Sequence, residues 1–237
     1  MIWLRSLLFV AVFYLWSTVA AIVMTPTLLM PRAACVWTLR MWGTVVTWQL
    51  RVICGVRVEV RGRQHLPTGA ALIASKHQCM FDVFGAFAFL PDSCFIARDT
   101  LTRIPFFGWY LKKTGMIAID RAGQAKALKA MVAEAQTRLS ENRQIVIFPE
   151  GTRGEPGVAG EYKPGVAALY RELNTPCIPL ALNTGVHWPA HGFLRTPGTI
   201  VFEFLEPIPA GLKRAEFMRV LQDRLETASN ALLAEGL

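Results

Sequence analysis

An uncharged apolar stretch near the amino terminus limits how this chain can fold. No charged residue occurs between positions 6 and 31. A transmembrane helix needs roughly 20 apolar residues, so the stretch is long enough to cross a bilayer. Pro26 and Pro31 interrupt it. A straight span and a helix that enters one leaflet and returns are therefore both compatible with the sequence.

The same stretch also resembles a cleaved signal peptide, because Arg5 precedes the apolar core and Ala20 and Ala21 follow it. The next segment argues against cleavage. Aromatic residues that alternate with cations are typical of the membrane interface, and a basic flank marks the cytoplasmic side. The segment contains both types, namely Trp37, Trp42, Trp48, Arg32, Arg40, Arg51 and Arg57. We therefore predict that residues 1–58 form a retained, helical membrane-anchoring segment.

Composition restricts the partners of the chain. The formal net charge is +8, from 25 basic and 17 acidic residues, which suits an anionic membrane surface. No zinc-finger, basic-zipper or RNA-platform pattern occurs, so we predict no nucleic-acid partner. No CxxC or HExxH motif occurs, so we predict no metal site. An odd number of scattered cysteines indicates a reducing compartment; they are Cys35, Cys54, Cys79, Cys94 and Cys177.

The rest of the chain alternates short β-rich runs with helical segments. Seven runs are bounded by Gly, Pro or charged residues and predict strands at 56–60, 70–75, 94–97, 116–119, 144–148, 177–182 and 199–205. Apolar residues at helical spacing predict helices at 123–142 and 213–234. This alternation predicts an α/β fold, with a single central sheet, mostly parallel or mixed, flanked by helices and preceded by the hydrophobic helical segment.

His77 and Asp82 form the first candidate site. A continuous helix would leave their side chains about 140° apart, and an extended strand would separate them by about 16 Å. They can meet if His77 lies in the turn after the strand at 70–75 and Asp82 lies in the first turn of the next helix. Asp82 would then fix the histidine tautomer, and the other ring nitrogen could act as a general base. A structural cap or a surface pair is the alternative.

Cys79 lies between these two residues and opens a different chemistry. A cysteine beside a histidine and an aspartate can serve as a nucleophile. A thiol-dependent hydrolase is therefore an alternative prediction, although two residues are a short separation between a nucleophile and its base.

A second polar cluster follows the predicted strand at 144–148. Gly151 permits a tight turn, Thr152 offers a hydroxyl, and the planar fork of Arg153 matches phosphate oxygens. Glu150 could orient Arg153 or accept a hydrogen bond from a substrate hydroxyl. An ordinary turn with an internal Glu–Arg pair is the alternative.

Further cations follow other predicted strands. Arg98 and Arg121 each come just after a strand, and Lys163 precedes a Pro-Gly pair and a helix. α/β proteins commonly bind ligands at the carboxyl edge of the sheet. Each of these cations taken alone is typical of a solvated surface charge, whereas together they could form a positive rim along one sheet edge.

Taken together, these motifs resemble the 1-acylglycerol-3-phosphate acyltransferase family of the glycerophospholipid acyltransferase superfamily. Four family blocks occur in order, at residues 77–82 (the HxxxxD block), 95–121, 148–153 and 177–180. The resemblance implies a catalytic α/β domain over residues 59–237. Three positions depart from the common pattern: Lys76 stands where asparagine is common, Cys79 where serine is frequent, and Arg98 where lysine is usual.

The resemblance also implies an activity and a location. Family members transfer a fatty acyl group from acyl-CoA or acyl carrier protein, as co-substrate and without another cofactor, to the sn-2 hydroxyl of lysophosphatidic acid. The product is phosphatidic acid, a phospholipid precursor. The expected location is the inner membrane, among membrane lipids, with the catalytic domain facing the cytoplasm.

The resemblance further assigns roles to individual residues. His77 is the expected base and Asp82 orients it, while Arg98 and Arg153 bind the acceptor phosphate. Gly151 and Thr152 shape the phosphate seat, and Arg121 and Glu150 complete the substrate site. The departures at Lys76 and Arg98 leave another lysolipid acceptor as an alternative. A non-catalytic protein that binds anionic lipid is a further alternative.

Overall fold

The computed structural model describes residues 1–120 and 123–236. Seven strands lie in this part of the chain: β1 (Val56–Arg61), β2 (Ala71–Ser75), β3 (Ser93–Arg98), β4 (Ile117–Ile119), β5 (Gln144–Ile147), β6 (Cys177–Leu182) and β7 (Gly198–Phe204). The α-helices are α1 (Ile2–Val23), α2 (Arg32–Gln49), α3 (Phe81–Phe89), α4 (Phe107–Lys113), α5 (Gln124–Ser140), α6 (Pro164–Leu173), α7 (Thr184–His187) and α8 (Arg214–Gly236).

The strands form one mixed sheet in the order β1-β7-β6-β2-β5-β3-β4. The β6–β7 pair is antiparallel and the other neighbours are parallel. This confirms the predicted α/β class with its single sheet, and each predicted strand is present within one residue of its expected limits. Helices α4 and α7 were not predicted, because seven and four residues are too few to display helical periodicity.

The centre of the sheet places several loops at one edge. β6, β2, β5 and β3 are neighbours that run in the same direction, so their carboxyl ends meet. Every residue of β2, β5 and β6 is buried, as expected for parallel strands that are covered on both faces. The turns that follow these strands therefore share one side of the molecule, which is where the polar clusters of the sequence occur.

The amino-terminal helices pack against the α/β domain. A short 3-10 helix (Thr25–Leu29) connects α1 to α2, and Pro26 and Pro31 lie at the ends of this connection. Phe9 and Phe13 of α1 contact Trp188, and Phe13 also stacks on Phe84 of α3. The two helices are thus a hairpin that covers one face of the sheet, while α5, α6 and α8 cover the other.

α1 is the one helix of the described residues that is long and apolar enough to cross a membrane. The predicted boundary after residue 58 falls inside β1, which is paired with β7. The division into an anchoring segment and a catalytic domain stays a prediction.

Candidate active site

His77 and Asp82 meet at the end of β2. The strand ends at Ser75, residues 76–80 form a turn, and Asp82 lies in the first turn of α3. Nδ1 of His77 is 2.8 Å from Oδ2 of Asp82. This is the strand–turn–helix arrangement expected from their spacing. Since a carboxylate only accepts hydrogen bonds, Nδ1 carries the proton and Nε2 is left as the basic nitrogen.

The Asp82 carboxylate is almost completely buried and is held by several donors. The backbone N–H groups of Gln78 and Cys79 donate to Oδ2, at 2.6 and 2.9 Å. The hydroxyl of Thr184 donates to Oδ1. These donors fix the orientation of the carboxylate, and the carboxylate in turn fixes the imidazole.

Thr184 was missed by the sequence analysis, although a signal for it exists. It lies two residues beyond the end of β6, and β6 is parallel to its neighbour β2. A hydroxyl at the end of an adjacent parallel strand is therefore at the same sheet edge as His77.

The turn after β5 forms the opposite wall of the site. The ring of Phe148 stacks on the His77 imidazole, with centroids 3.9 Å apart and an interplanar angle of 18°. Gly151 has a φ of 67°, a left-handed conformation that favours glycine, so the tight turn expected at this position is present. Thr152 and Arg153 follow it, and both side chains are exposed.

The side chain of Glu150 does not orient Arg153 but points to the turn that carries His77. Glu150 is 3% exposed, and its ion-pair partner is Lys76, not Arg153. Its Oε1 accepts a hydrogen bond from Nζ of Lys76 at 2.5 Å, and its Oε2 accepts one from the backbone N–H of His77 at 3.2 Å. Both oxygens are therefore engaged by other groups of the protein, so the Glu150–Arg153 pair that the sequence left open is not the one that forms. A direct contact with substrate stays a prediction.

These elements surround a cavity of about 1050 Å³. His77, Arg98, Thr152, Arg153 and Lys163 line its polar part, so three of the cations expected at the sheet edge face one space. Arg121 lies outside the described residues. The remaining wall is mostly apolar and includes Phe84, Phe87, Phe95, Leu111, Met116, Ile119, Leu128 and Met131.

Comparison with known proteins decides the family. The Acyltransferase family model matches residues 57–183, which is more than half of the chain. The chain belongs to the Acyltransferase family. The match covers both polar clusters and the strands β2, β3, β5 and β6 that carry them.

Individual relatives agree with this assignment. The acyltransferase is 34% identical over 187 residues to 1-acyl-sn-glycerol-3-phosphate acyltransferase of Pseudomonas aeruginosa, which covers 79% of this chain and 72% of that protein. It is 42% identical over 132 residues to the enzyme of that name from Helicobacter pylori, which covers 55% of this chain and 54% of that protein.

A solved structure has the same fold. The crystal structure of the 1-acyl-sn-glycerophosphate (LPA) acyltransferase PlsC from Thermotoga maritima superposes with a TM-score of 0.82 and 22% sequence identity. The superposition covers 99% of this chain and 98% of that one. The amino-terminal hairpin is therefore included in the shared architecture.

Cys79 is poorly placed to act as a nucleophile in this acyltransferase. The residue is fully buried, and its Sγ donates to Oδ1 of Asp82 at 3.5 Å. Burial, and then the charge of Asp82, raise the pKa of the Cys79 thiol well above its ordinary value. Because the thiolate is the nucleophilic form, this environment opposes the thiol-dependent hydrolase that the sequence left open.

Proposed function

We propose that the protein transfers a fatty acyl group from acyl-CoA or acyl carrier protein to the sn-2 hydroxyl of 1-acylglycerol 3-phosphate, giving phosphatidic acid for phospholipid synthesis. The observation that carries the proposal is the His77–Asp82 pair at the wall of a cavity that combines cations with an extended apolar lining. The acceptor is taken from the relatives in Pseudomonas aeruginosa and Helicobacter pylori, which are both named 1-acyl-sn-glycerol-3-phosphate acyltransferase.

The reaction needs one base and no covalent enzyme intermediate. Nε2 of His77 takes the proton of the sn-2 hydroxyl while the hydroxyl oxygen attacks the thioester carbonyl carbon. The carbon–sulfur bond then breaks, and the proton passes from His77 to the departing thiolate, so that an ester and a free thiol are the products. General-base assistance of this kind contributes about 10²–10⁴ in rate. Asp82 stabilises the imidazolium that forms in between.

The cavity cations form the binding site for the acceptor phosphate in this proposal. Arg98 is the last residue of β3, and Arg153 lies in the turn after β5; both are exposed and line the cavity. Charge-assisted hydrogen bonds from a guanidinium to phosphate are among the strong ones. We propose that these two arginines bind the phosphate, that Gly151 and Thr152 shape its seat, and that Arg121 contributes from the segment after β4. Glu150 also lines the cavity, and it holds the backbone N–H of His77.

The apolar part of the cavity suits the fatty acyl chains. Ligand pockets commonly measure about 300–1,000 Å³, so this cavity is at the upper end of the range and has room for a substrate with two parts. The charged headgroup would lie near His77, and the chains would contact the aromatic and aliphatic wall.

We also propose that the enzyme works at the cytoplasmic face of the inner membrane. Large apolar side chains are exposed along the hairpin; they include Trp3, Leu4, Leu7, Leu8, Tyr14, Leu15, Val19, Ile22, Val23, Trp37 and Trp48. The opposite side of α1 packs on the domain through Ser6, Phe9 and Phe13. A hairpin held along the domain favours insertion into one leaflet over a straight span, and the net charge of +8 favours anionic lipid.

The proposal is tested by acyl transfer in detergent micelles. Release of free CoA thiol from oleoyl-CoA is followed with and without lysophosphatidic acid, for the wild type and for His77→Ala. We expect release that requires the acceptor and that falls about 10²–10⁴-fold in the variant. Release without acceptor would indicate a hydrolase, and full activity in a folded His77→Ala protein would refute the mechanism.

Parallel reactions define the substrates. Lysolipids with larger headgroups replace lysophosphatidic acid, because Arg98 stands where the family usually has lysine. Acylated carrier protein replaces oleoyl-CoA to decide the donor. Binding of anionic lipid without turnover of any of these acceptors would support the non-catalytic alternative.

A further inference from the structure

Lys76 directly precedes the proposed base and is completely buried, with 1% of its side chain exposed. Its ammonium donates to Oε1 of Glu150 at 2.5 Å, to Oε1 of Glu226 at 2.7 Å and to the carbonyl of Val158 at 3.4 Å. All three of its donors therefore have partners. A buried charge is stable only when it is paired, and here one cation is shared by two carboxylates.

Glu150 connects Lys76 to the backbone of His77. The carboxylate oxygen that does not contact Lys76 accepts a hydrogen bond from the backbone N–H of His77. The His77 carbonyl accepts another from the N–H of Gly154, at 2.8 Å. The loop after β5 thus holds the His77 backbone on both sides, and the Glu150 rotamer that makes this contact is fixed by Lys76.

Glu226 brings α8 into the same network. Its Oε1 also accepts a hydrogen bond from the hydroxyl of Tyr162 at 2.9 Å. The loop at 154–160 passes close to the ion pair, since a Cβ at Gly160 would lie 2.9 Å from Oε1 of Glu150. α8 lies beyond the stretch matched by the family model, yet it contributes a carboxylate to the ion-pair network around Lys76.

We propose that Lys76 is a positioning residue for His77. Glu226 makes α8 part of the same network, which consists of Lys76, Glu150 and the His77 backbone. Without the Lys76 ammonium, the carboxylates of Glu150 and Glu226 would face each other across the position that Nζ now occupies. Two such charges repel, so one must take up a proton or turn away. In either case Glu150 loses its fixed orientation, the His77 backbone is released, and Nε2 moves from its place at the cavity wall.

The inference rests on the proposed role of His77 as base, so its test has one readout from activity and one from structure. Full-length protein in micelles is studied as Lys76→Met, Glu226→Gln and the double variant. The readouts are kcat and KM with oleoyl-CoA and lysophosphatidic acid, and amide hydrogen exchange of the peptide that contains His77. Arg143→Met is the matched control, because Arg143 is a fully buried, ion-paired cation at the opposite end of β5.

For Lys76→Met we expect kcat to fall up to about 100-fold with KM nearly unchanged, the cost of a small displacement of a catalytic group. The His77 amide should exchange faster. Glu226→Gln in this background removes the carboxylate repulsion and should restore kcat about tenfold, because residues of one network are not additive. Arg143→Met should lower the melting temperature and leave kcat of the folded enzyme within about twofold, since the partners of Arg143, which are Asp92, Thr114 and Gly115, do not contact His77 or Glu150.

Other results would overturn the inference. These are a folded Lys76→Met enzyme with wild-type kcat and exchange, an equal loss in Arg143→Met, or a double variant no better than Lys76→Met. If Lys76→Met does not fold, Glu226→Gln alone decides, because it must speed exchange at His77 and lower kcat without raising KM. If the wild type does not acylate lysophosphatidic acid, the proposed function fails, whereas the exchange data still decide whether Lys76 holds the His77 backbone.

Discussion

The hydroxyl of Thr184 donates a hydrogen bond to Oδ1 of Asp82 across 102 positions of sequence. Thr184 begins α7, just after β6, and Asp82 lies in the first turn of α3, which follows β2. The bond joins two neighbouring strand ends and completes the set of donors around the carboxylate that orients His77.

Replacing Thr184 with valine tests the value of this bond. Valine keeps the shape and removes the donor, so one oxygen of a buried carboxylate loses a partner, a change worth about 1–3 kcal/mol. We expect kcat to fall about tenfold with little change in KM. Thr137→Val is the control, because its exposed hydroxyl bonds to the Ala133 carbonyl of its own helix. Equal kcat in the two variants would exclude a role for Thr184.

Asp82→Asn separates the orientation of His77 from its charge stabilisation. The backbone donors of Gln78 and Cys79 point at Oδ2, so the amide oxygen must occupy that position. It can still accept from Nδ1 of His77, so the tautomer is kept and only the negative charge is lost. We expect kcat to fall about 10²–10³-fold, less than the roughly 10⁴-fold that a tautomer change causes in serine proteases. A loss as large as 10⁴-fold would show that the tautomer has changed.

Cys79→Ser should preserve activity. The serine hydroxyl can take over the donation to Asp82, and the thiol is too deeply buried to attack substrate. We expect kcat within about threefold of wild type, since the change keeps both the shape and the donor. Rates of acceptor-dependent CoA release measure this, and their abolition in Cys79→Ser would revive the hydrolase mechanism.

Arg153→Ala should weaken acceptor binding more than it slows chemistry. Loss of a charge-assisted contact to phosphate costs about 1.5–3 kcal/mol, so KM for lysophosphatidic acid should rise roughly 10–100-fold. The effect should shrink at high salt, because screening already weakens the contact. Arg171→Ala is the control, since that exposed arginine of α6 pairs with the adjacent Glu172. A KM unchanged by Arg153→Ala would remove this residue from the phosphate site.

Asp92 makes stability depend on pH. Burial acts to raise the pKa of this carboxyl, but the hydrogen bond from Arg32 and the charges of Arg143 and Arg32 outweigh it, so the pKa lies below its usual value of 3.8. A carboxyl whose pKa is lowered on folding adds stability above its unfolded pKa, and this stability is lost as the pH falls through the folded pKa. The bidentate contact with Arg32, at 2.8 and 2.6 Å, ties α2 to the loop before β3.

Asp92→Asn should therefore lower the melting temperature at pH 7 by about 3–8 °C, measured by thermal unfolding in micelles. The gap between variant and wild type should close as the pH is lowered from 5 towards 2. Asp99→Asn, which removes an exposed pair with Arg103, should change little at either pH. A gap that stays constant with pH would show that Asp92 acts through packing and not through its charge.

Local sequence patterns predict much of the structure of this protein. The β-rich runs predict the seven strands, and helical periodicity predicts the long helices α5 and α8. The length of the turn between His77 and Asp82 allows these two residues to meet. All of these are local properties of the sequence. The parallel arrangement of the central strands then places Arg98, Arg153 and Lys163 at one cavity. The glycine at position 151 predicts a tight turn, and the turn is present with a left-handed φ at Gly151.

The tertiary structure alone decided which distant groups satisfy one another. Glu150 pairs with Lys76 and not with its near neighbour Arg153. Glu226 reaches the same ammonium from α8, and Thr184 reaches Asp82 from the start of α7. The amino-terminal hairpin likewise joins the core through Phe13 and Phe84. Local preferences determine the elements, but buried polar and charged groups must find partners after the elements have packed. Those partners depend on the three-dimensional arrangement, and no spacing along the chain encodes them.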